Sequence, residues 1–179
     1  MEFSEYQERA WFTAVYPGVG NNFVYPTLGL MDEVGELYLA HELPGPTWGQ
    51  KRAAVIKEAG DVLWYVACLC SELNIDLQDV ALYNTFEEFV IPTKFESIRL
   101  FFCASVIAGK IKKAVRDTNG IIPHDDMEAI KYFLLLTLRL LLDVCDAGDI
   151  TLNEVAEKNL EKLADRRKRN RLHGSGDDR

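Results

Sequence analysis

The sequence predicts an all-α fold, and three observations carry the prediction. Apolar residues recur at helical spacing along most of the chain. No stretch alternates apolar and polar residues in the manner of a strand. Pro, Gly and Asn gather in a few short stretches that separate the periodic ones. At 179 residues the chain can bury a substantial core in one domain. Its 48% hydrophobic and 27% charged residues are ordinary for a globular protein.

The elements follow in order. Phe3 to Val15 reads as a first helix, begun at or just before Ser4, and "YPGVGNNFVYP" as a loop. A second helix runs from about Thr27 to Ala40 and a third from about Gln50 to Leu73, the third nearly all apolar after Asp61. Asp76 caps a short fourth helix to about Phe86; Thr93 caps a fifth to about Arg116. Asp125 or Asp126 caps a sixth to about Cys145. Thr151 with Glu154 reads as a capping box for a seventh, ending near Asn170.

An internal repeat is visible at an offset near 75 residues. "DLQDVALYN" at 76–84 resembles "TLNEVAEKN" at 151–159, and "VIKEAGDVLWYV" aligns with "AIKYFLLLTLRL". At an offset of 75 residues Glu58 and Asp61 face Phe133 and Leu136, so a second copy would have lost its acids.

The formal net charge of −8 argues against a protein that coats DNA or RNA by neutralising phosphates. Cys68, Cys70, Cys103 and Cys145 lie in apolar runs and read as buried reduced thiols. The acidic, amphipathic N-terminus does not read as a signal peptide, and "YFLLLTLRLLLDV" is too short to span a bilayer. No membrane partner is expected. The reading places the protein in the cytoplasm, that of a bacterial host if the chain is viral.

Acidic residues supply the chemistry. "LMDEVGEL" sets Asp32, Glu33 and Glu36 on one arc beside an apolar face, with Glu33 deepest because Leu30 and Leu37 flank it. Glu58 and Asp61 share a face of the third helix, also beside the core stripe. Two such pairs on adjacent helices meet across the groove between them. Buried carboxylates without a counter-charge cost several kcal/mol each. Lys57 lies on the flank, and no other Lys or Arg of the two helices is placed for all four acids. A hard divalent ion, Mg²⁺ or Mn²⁺, satisfies them with oxygen ligands. The competing reading is a solvated acidic surface. His41, His124 and His173 are scattered, so no zinc cluster forms, and there is no P-loop, dinucleotide fingerprint or nucleophile elbow.

"DEVGEL" followed by "KEAGDVLWYV" gives E-x-x-E, a spacer and E-x-x-D. This resembles the all-α nucleoside triphosphate pyrophosphohydrolases, the MazG-like family related to dimeric dUTPases, in its phage and bacterial branch. "EYQERAWFTAVYP" is similar to that branch's N-terminal helix, and "NLEKLADRRKRNRLHGSGDDR" to its C-terminal segment. The similarity covers roughly 1–84 and 151–179, which leaves 85–150 as an inserted or degenerate repeat helix pair within one domain of 1–179. Asp32 stands where such proteins often carry Glu.

The resemblance implies hydrolysis of a (d)NTP between the α- and β-phosphates, to (d)NMP and pyrophosphate, with two or more divalent ions. It implies Glu33, Glu36, Glu58 and Asp61 as metal ligands, with Asp32 as a further ligand or the partner of the attacking water, so that Glu33 and Asp32 are the candidate catalytic pair. Asn159, Lys162 and Arg166 resemble phosphate-contacting positions, and Arg179 is a fourth candidate. Arg167 to Arg171 read as a solvated basic face. Trp11, Trp48 and Tyr65 are candidates to stack on a base, with core packing as the competing role. The family leaves base and sugar open, with a lean to purine deoxynucleotides such as dGTP, and implies a homodimer or homotetramer. Two rival readings stand beside it: a non-catalytic metal-binding interaction protein, and a nucleic-acid-binding accessory protein using "RRKRNR".

Overall fold

The computed structural model describes residues 1–43, 47–82 and 96–172. Every regular element among them is an α-helix: α1 (Phe3–Trp11), α2 (Val24–Glu42), α3 (Trp48–Glu72), α4 (Leu77–Leu82), α5 (Glu96–Asp117), α6 (His124–Ala147) and α7 (Leu152–Lys168). None of them is long and apolar enough to cross a membrane.

The helix starts show which caps operate. Thr47 accepts from the Gln50 amide at the start of α3, and Thr151 accepts from the Glu154 amide at the start of α7. The Glu154 carboxylate also reaches back to the Thr151 backbone N–H, as the capping box requires, while Arg52 pairs with it at 2.6 Å. Asp76 accepts from the Gln78 amide before α4. Ser4 caps nothing; Glu2 is the N-cap of α1. The α2 helix begins earlier than expected, at Val24, since Pro26 in a first turn gives up no needed N–H. In α6, Asp125 and Asp126 lie inside the first turn rather than at the cap, where their charge suits the helix dipole. The α1 helix stops at Trp11, short of Val15, as the chain tightens into turns from Thr13 to Ala10 and from Ala14 to Trp11. Thr93 lies outside the described residues.

Packing builds a ring of four long helices. The α2 helix packs on α3 and α5, α5 on α6, and α6 on α3. On the outside, α7 lies against α3, α4 against α6, and α1 against α3 and α4. The ring encloses fully buried Leu30, Leu37, Leu63, Leu69, Leu100, Ile107, Leu134 and Leu141. Exchanging α2 with α5, α3 with α6 and α4 with α7 maps the ring and its α3–α7 and α4–α6 contacts onto themselves.

The corners after α3 and α6 are built alike. The Ile75 amide donates to Cys70 O at 2.8 Å, and the Ile150 amide to Cys145 O at 3.0 Å. Between them stand Asn74 and Asp149, both left-handed with φ of 54° and 51°. The isoleucines are buried, and each corner leads into a capped helix start at Asp76 or Thr151.

Candidate active site

The α2–α3 groove brings Glu33, Glu36 and Glu58 together, each offering a carboxylate oxygen within 4.8 Å of the others. Of the acids on α2, Glu33 is the least exposed; Asp32 and Glu36 are exposed. Glu58 is only 8% exposed, and its Oε2 is buried without a hydrogen-bond partner. Its Oε1 accepts from Lys57 Nζ at 2.7 Å, so the flanking lysine does reach one acid.

Asp61 stands beside this trio and is differently held. Lys162 Nζ lies 2.5 and 2.6 Å from its two oxygens, and Asn159 Nδ2 donates to it at 3.1 Å. Tyr6 donates to Asn159 Oδ1 at 2.9 Å, which fixes the amide's orientation. Gly60 makes this approach of α7 possible: a Cβ there would stand 2.9 Å from Asn159 Cβ. Asn159 and Lys162 are thus occupied with Asp61, while buried Arg166 lines the neighbouring cleft. Arg179 lies outside the described residues.

Electrostatics follow from this crowding. Burial pushes the Glu33 carboxyl up to about 8, with Asp61, Glu36 and Glu58 adding to the shift and Lys162 opposing it. Burial also raises Glu58, while Lys57 pulls it back. The acids suit a hard divalent ion on chemical grounds: an all-oxygen set, crowded like charges, and a buried oxygen of Glu58 without a hydrogen-bond partner.

A cleft of about 360 Å³ opens beside Asp32, Glu33, Glu36 and Asp61, and its other walls include Tyr16, Tyr25, Trp64 and Tyr65. Tyr16 and Tyr25 stack with centroids 4.5 Å apart, and Trp64 meets Tyr65 edge-on at 4.8 Å. Trp64 Nε1 donates to Thr13 Oγ1 at 2.9 Å. Of the aromatic residues expected from the sequence, Tyr65 is here. Trp48 is 64% exposed at the start of α3, and Trp11 lines a separate groove near Asp76. Tyr16, Tyr25 and Trp64 were missed. Two signals point to them: Trp64 follows Asp61 by three residues on α3, and both tyrosines lie in or beside the "YPGVGNNFVYP" loop.

The Tyr65 ring packs against α2 where Gly29 leaves room. A Cβ at Gly29 would stand 2.1 Å from the Tyr65 ring. Gly29→Ala should therefore destabilise the protein by about 1–3 kcal/mol through overpacking, overriding the ~1 kcal/mol that Ala normally gains over Gly inside a helix. Chemical denaturation checks this; a variant as stable as the parent would show that the ring moves away freely.

The MazG nucleotide pyrophosphohydrolase domain matches residues 26–85, which take in most of α2 and all of α3 and α4. The chain is also 34% identical over 94 residues to the Gene 37 protein of Mycobacterium phage L5, an alignment covering 47% of this chain and 82% of that protein. The chain belongs to the MazG family. No solved structure matches it. The MazG domain ends before α5, so the acid-bearing hairpin lies within the matched segment and the α5–α6 hairpin outside it.

Proposed function

We propose that this MazG-family chain hydrolyses a nucleoside triphosphate between its α- and β-phosphates, with Mg²⁺ or Mn²⁺ held by Glu33, Glu36 and Glu58. The observation that carries the reading is the convergence of three glutamates, one of which, Glu58, has a buried carboxylate oxygen without a hydrogen-bond partner, within a matched nucleotide pyrophosphohydrolase domain. When bound, the ion supplies Lewis acidity and neutralises charge on the triphosphate. Asp61 would join the ligand set on release of its ion pair with Lys162, and that ammonium together with Arg166 would bind phosphate oxygens. Asn159 holds Asp61 in place. Glu33 or the exposed Asp32 orients the attacking water and accepts its proton on a carboxylate oxygen. The water oxygen bonds to phosphorus, the bridging α–β P–O bond breaks, and (d)NMP and pyrophosphate leave. The nucleoside end lies against the aromatic walls of the cleft, and purine deoxynucleotides such as dGTP are the first substrates to test.

The domain organisation has a matching proposal. Residues 85–150 contain the second, degenerate half of a tandem repeat whose α5–α6 hairpin completes the ring around the α2–α3 hairpin. The twin corners at Cys70–Ile75 and Cys145–Ile150, spaced by 75 residues, support it. A homodimer or homotetramer remains the expected assembly, checked by light scattering.

The test is incubation of the purified protein with each (d)NTP and Mg²⁺ or Mn²⁺, followed by separation of products. Monophosphate with pyrophosphate is the expected result. Diphosphate with orthophosphate would mean a different bond. No turnover of any nucleotide would leave a metal-binding interaction protein.

A further inference from the structure

Glu72 is an acid in the last turn of α3, where the helix dipole disfavours negative charge. It lies outside the cleft and outside the acid cluster. Its surroundings explain it. Oε1 accepts from the Tyr16 hydroxyl at 2.8 Å and from the Gly20 amide at 3.0 Å, and Oε2 accepts from the Asn22 amide at 2.8 Å. One carboxylate thus gathers three donors from the loop between α1 and α2, through bonds strengthened by its charge. The loop can present those donors because Gly18 and Gly20 take left-handed φ values of 75° and 89°. Asn22 ties the same loop inward by donating to Pro17 O at 2.7 Å and accepting from the Tyr25 amide at 3.2 Å.

The held loop carries one face of the cleft. Tyr16 is 7% exposed and stacks on Tyr25, which is 41% exposed and shows its ring to the cleft. Tyr16 also meets the Trp64 ring edge-on at 6.4 Å. We propose that Glu72 is a positioning residue for the nucleoside end of the substrate: it latches the loop so that Tyr16 sets the aromatic wall against which base and sugar lie. This rests on the pyrophosphohydrolase reading above. The latch touches neither phosphates nor acids, so its loss acts on the nucleoside and spares the pyrophosphate moiety.

The experiment compares Glu72→Gln with the parent, using the best (d)NTP found and pyrophosphate as a product inhibitor lacking base and sugar. A Gln Nε2 cannot accept from the loop amides. KM is expected to rise about tenfold with kcat within about twofold, and the inhibition constant of pyrophosphate to stay within about twofold. Tyr16→Phe, which removes only the hydroxyl, is expected to move KM in the same direction by less, and it decides the matter if Glu72→Gln fails to fold. An unchanged KM, or pyrophosphate inhibition weakened as much as nucleotide binding, overturns the latch. A parent protein that turns over no nucleotide overturns the pyrophosphohydrolase reading and the latch with it; an active parent with an unaffected variant overturns the latch alone.

Discussion

Glu58→Gln should abolish nucleotide turnover and, in the same stroke, stabilise the metal-free protein. Glu58 is the most buried of the clustered glutamates, and its Oε2 has no partner. A glutamine keeps the shape and an acceptor for Lys57 but removes a buried charge that Asp61 and Glu36 oppose. The loss of a metal ligand should lower turnover by more than the ~10–100-fold typical of an outer-shell partner. Without metal, relief of the repulsion should be worth on the order of 1 kcal/mol, or about 2–4 °C in a domain of this size. Added Mg²⁺ should reverse the order, because only the parent gains stability by binding it. Calorimetric melting with and without EDTA, beside the nucleotide assay, checks all three statements. Full activity in the variant would mean that the metal lies elsewhere. Glu36→Ala, at an exposed position, should lose activity with little change in melting.

Metal-free protein should also lose stability as pH rises, opposite to the usual behaviour of a carboxylate in an ion pair. The Glu33 carboxyl stands near 8 in the folded protein against 4.5 ordinarily. Between those values the folded state binds more protons than the unfolded one, so the slope of unfolding free energy with pH is negative. Glu33's contribution is fully present below its unfolded value and is lost as pH passes through the folded one. Melting of EDTA-treated protein from about pH 5 to about pH 9 should show the decline, and Glu33→Gln should flatten it. A rise in melting temperature over that window would show that Glu33 is already charged and well paired at low pH.

Much of this was legible because helical periodicity is a strong signal and because acids beside an apolar face are costly enough to be conspicuous. The helix order, the acid pairs and the resemblance all rest on such local spacing. Long-range chemistry was not legible. Nothing near Asp61 in sequence announces that Lys162 and Asn159 will hold it, since that contact exists only because Gly60 lets α7 approach α3. The aromatic wall was hidden for the same reason: Tyr16 belongs to a loop, and Tyr25 to the helix start that the loop leads into, and the loop's course depends on Glu72, some fifty residues away. Capping was half legible. Thr47, Thr151 and Glu154 act as their spacing suggests, whereas the pairing of Glu154 with Arg52, about a hundred residues away, has no local signal.

The four cysteines are all free and buried, and burial holds the thiols of Cys103 and Cys145 up at about 12. At neutral pH such groups carry almost no thiolate, the species that alkylating reagents attack. The native fold therefore behaves as a thiol-silent background. A single cysteine introduced on the surface, for instance in place of Ser105 on α5, can take a fluorophore or spin label with the natural four left in place. The native thiols themselves become a clock for unfolding, since each reacts only when its helix opens.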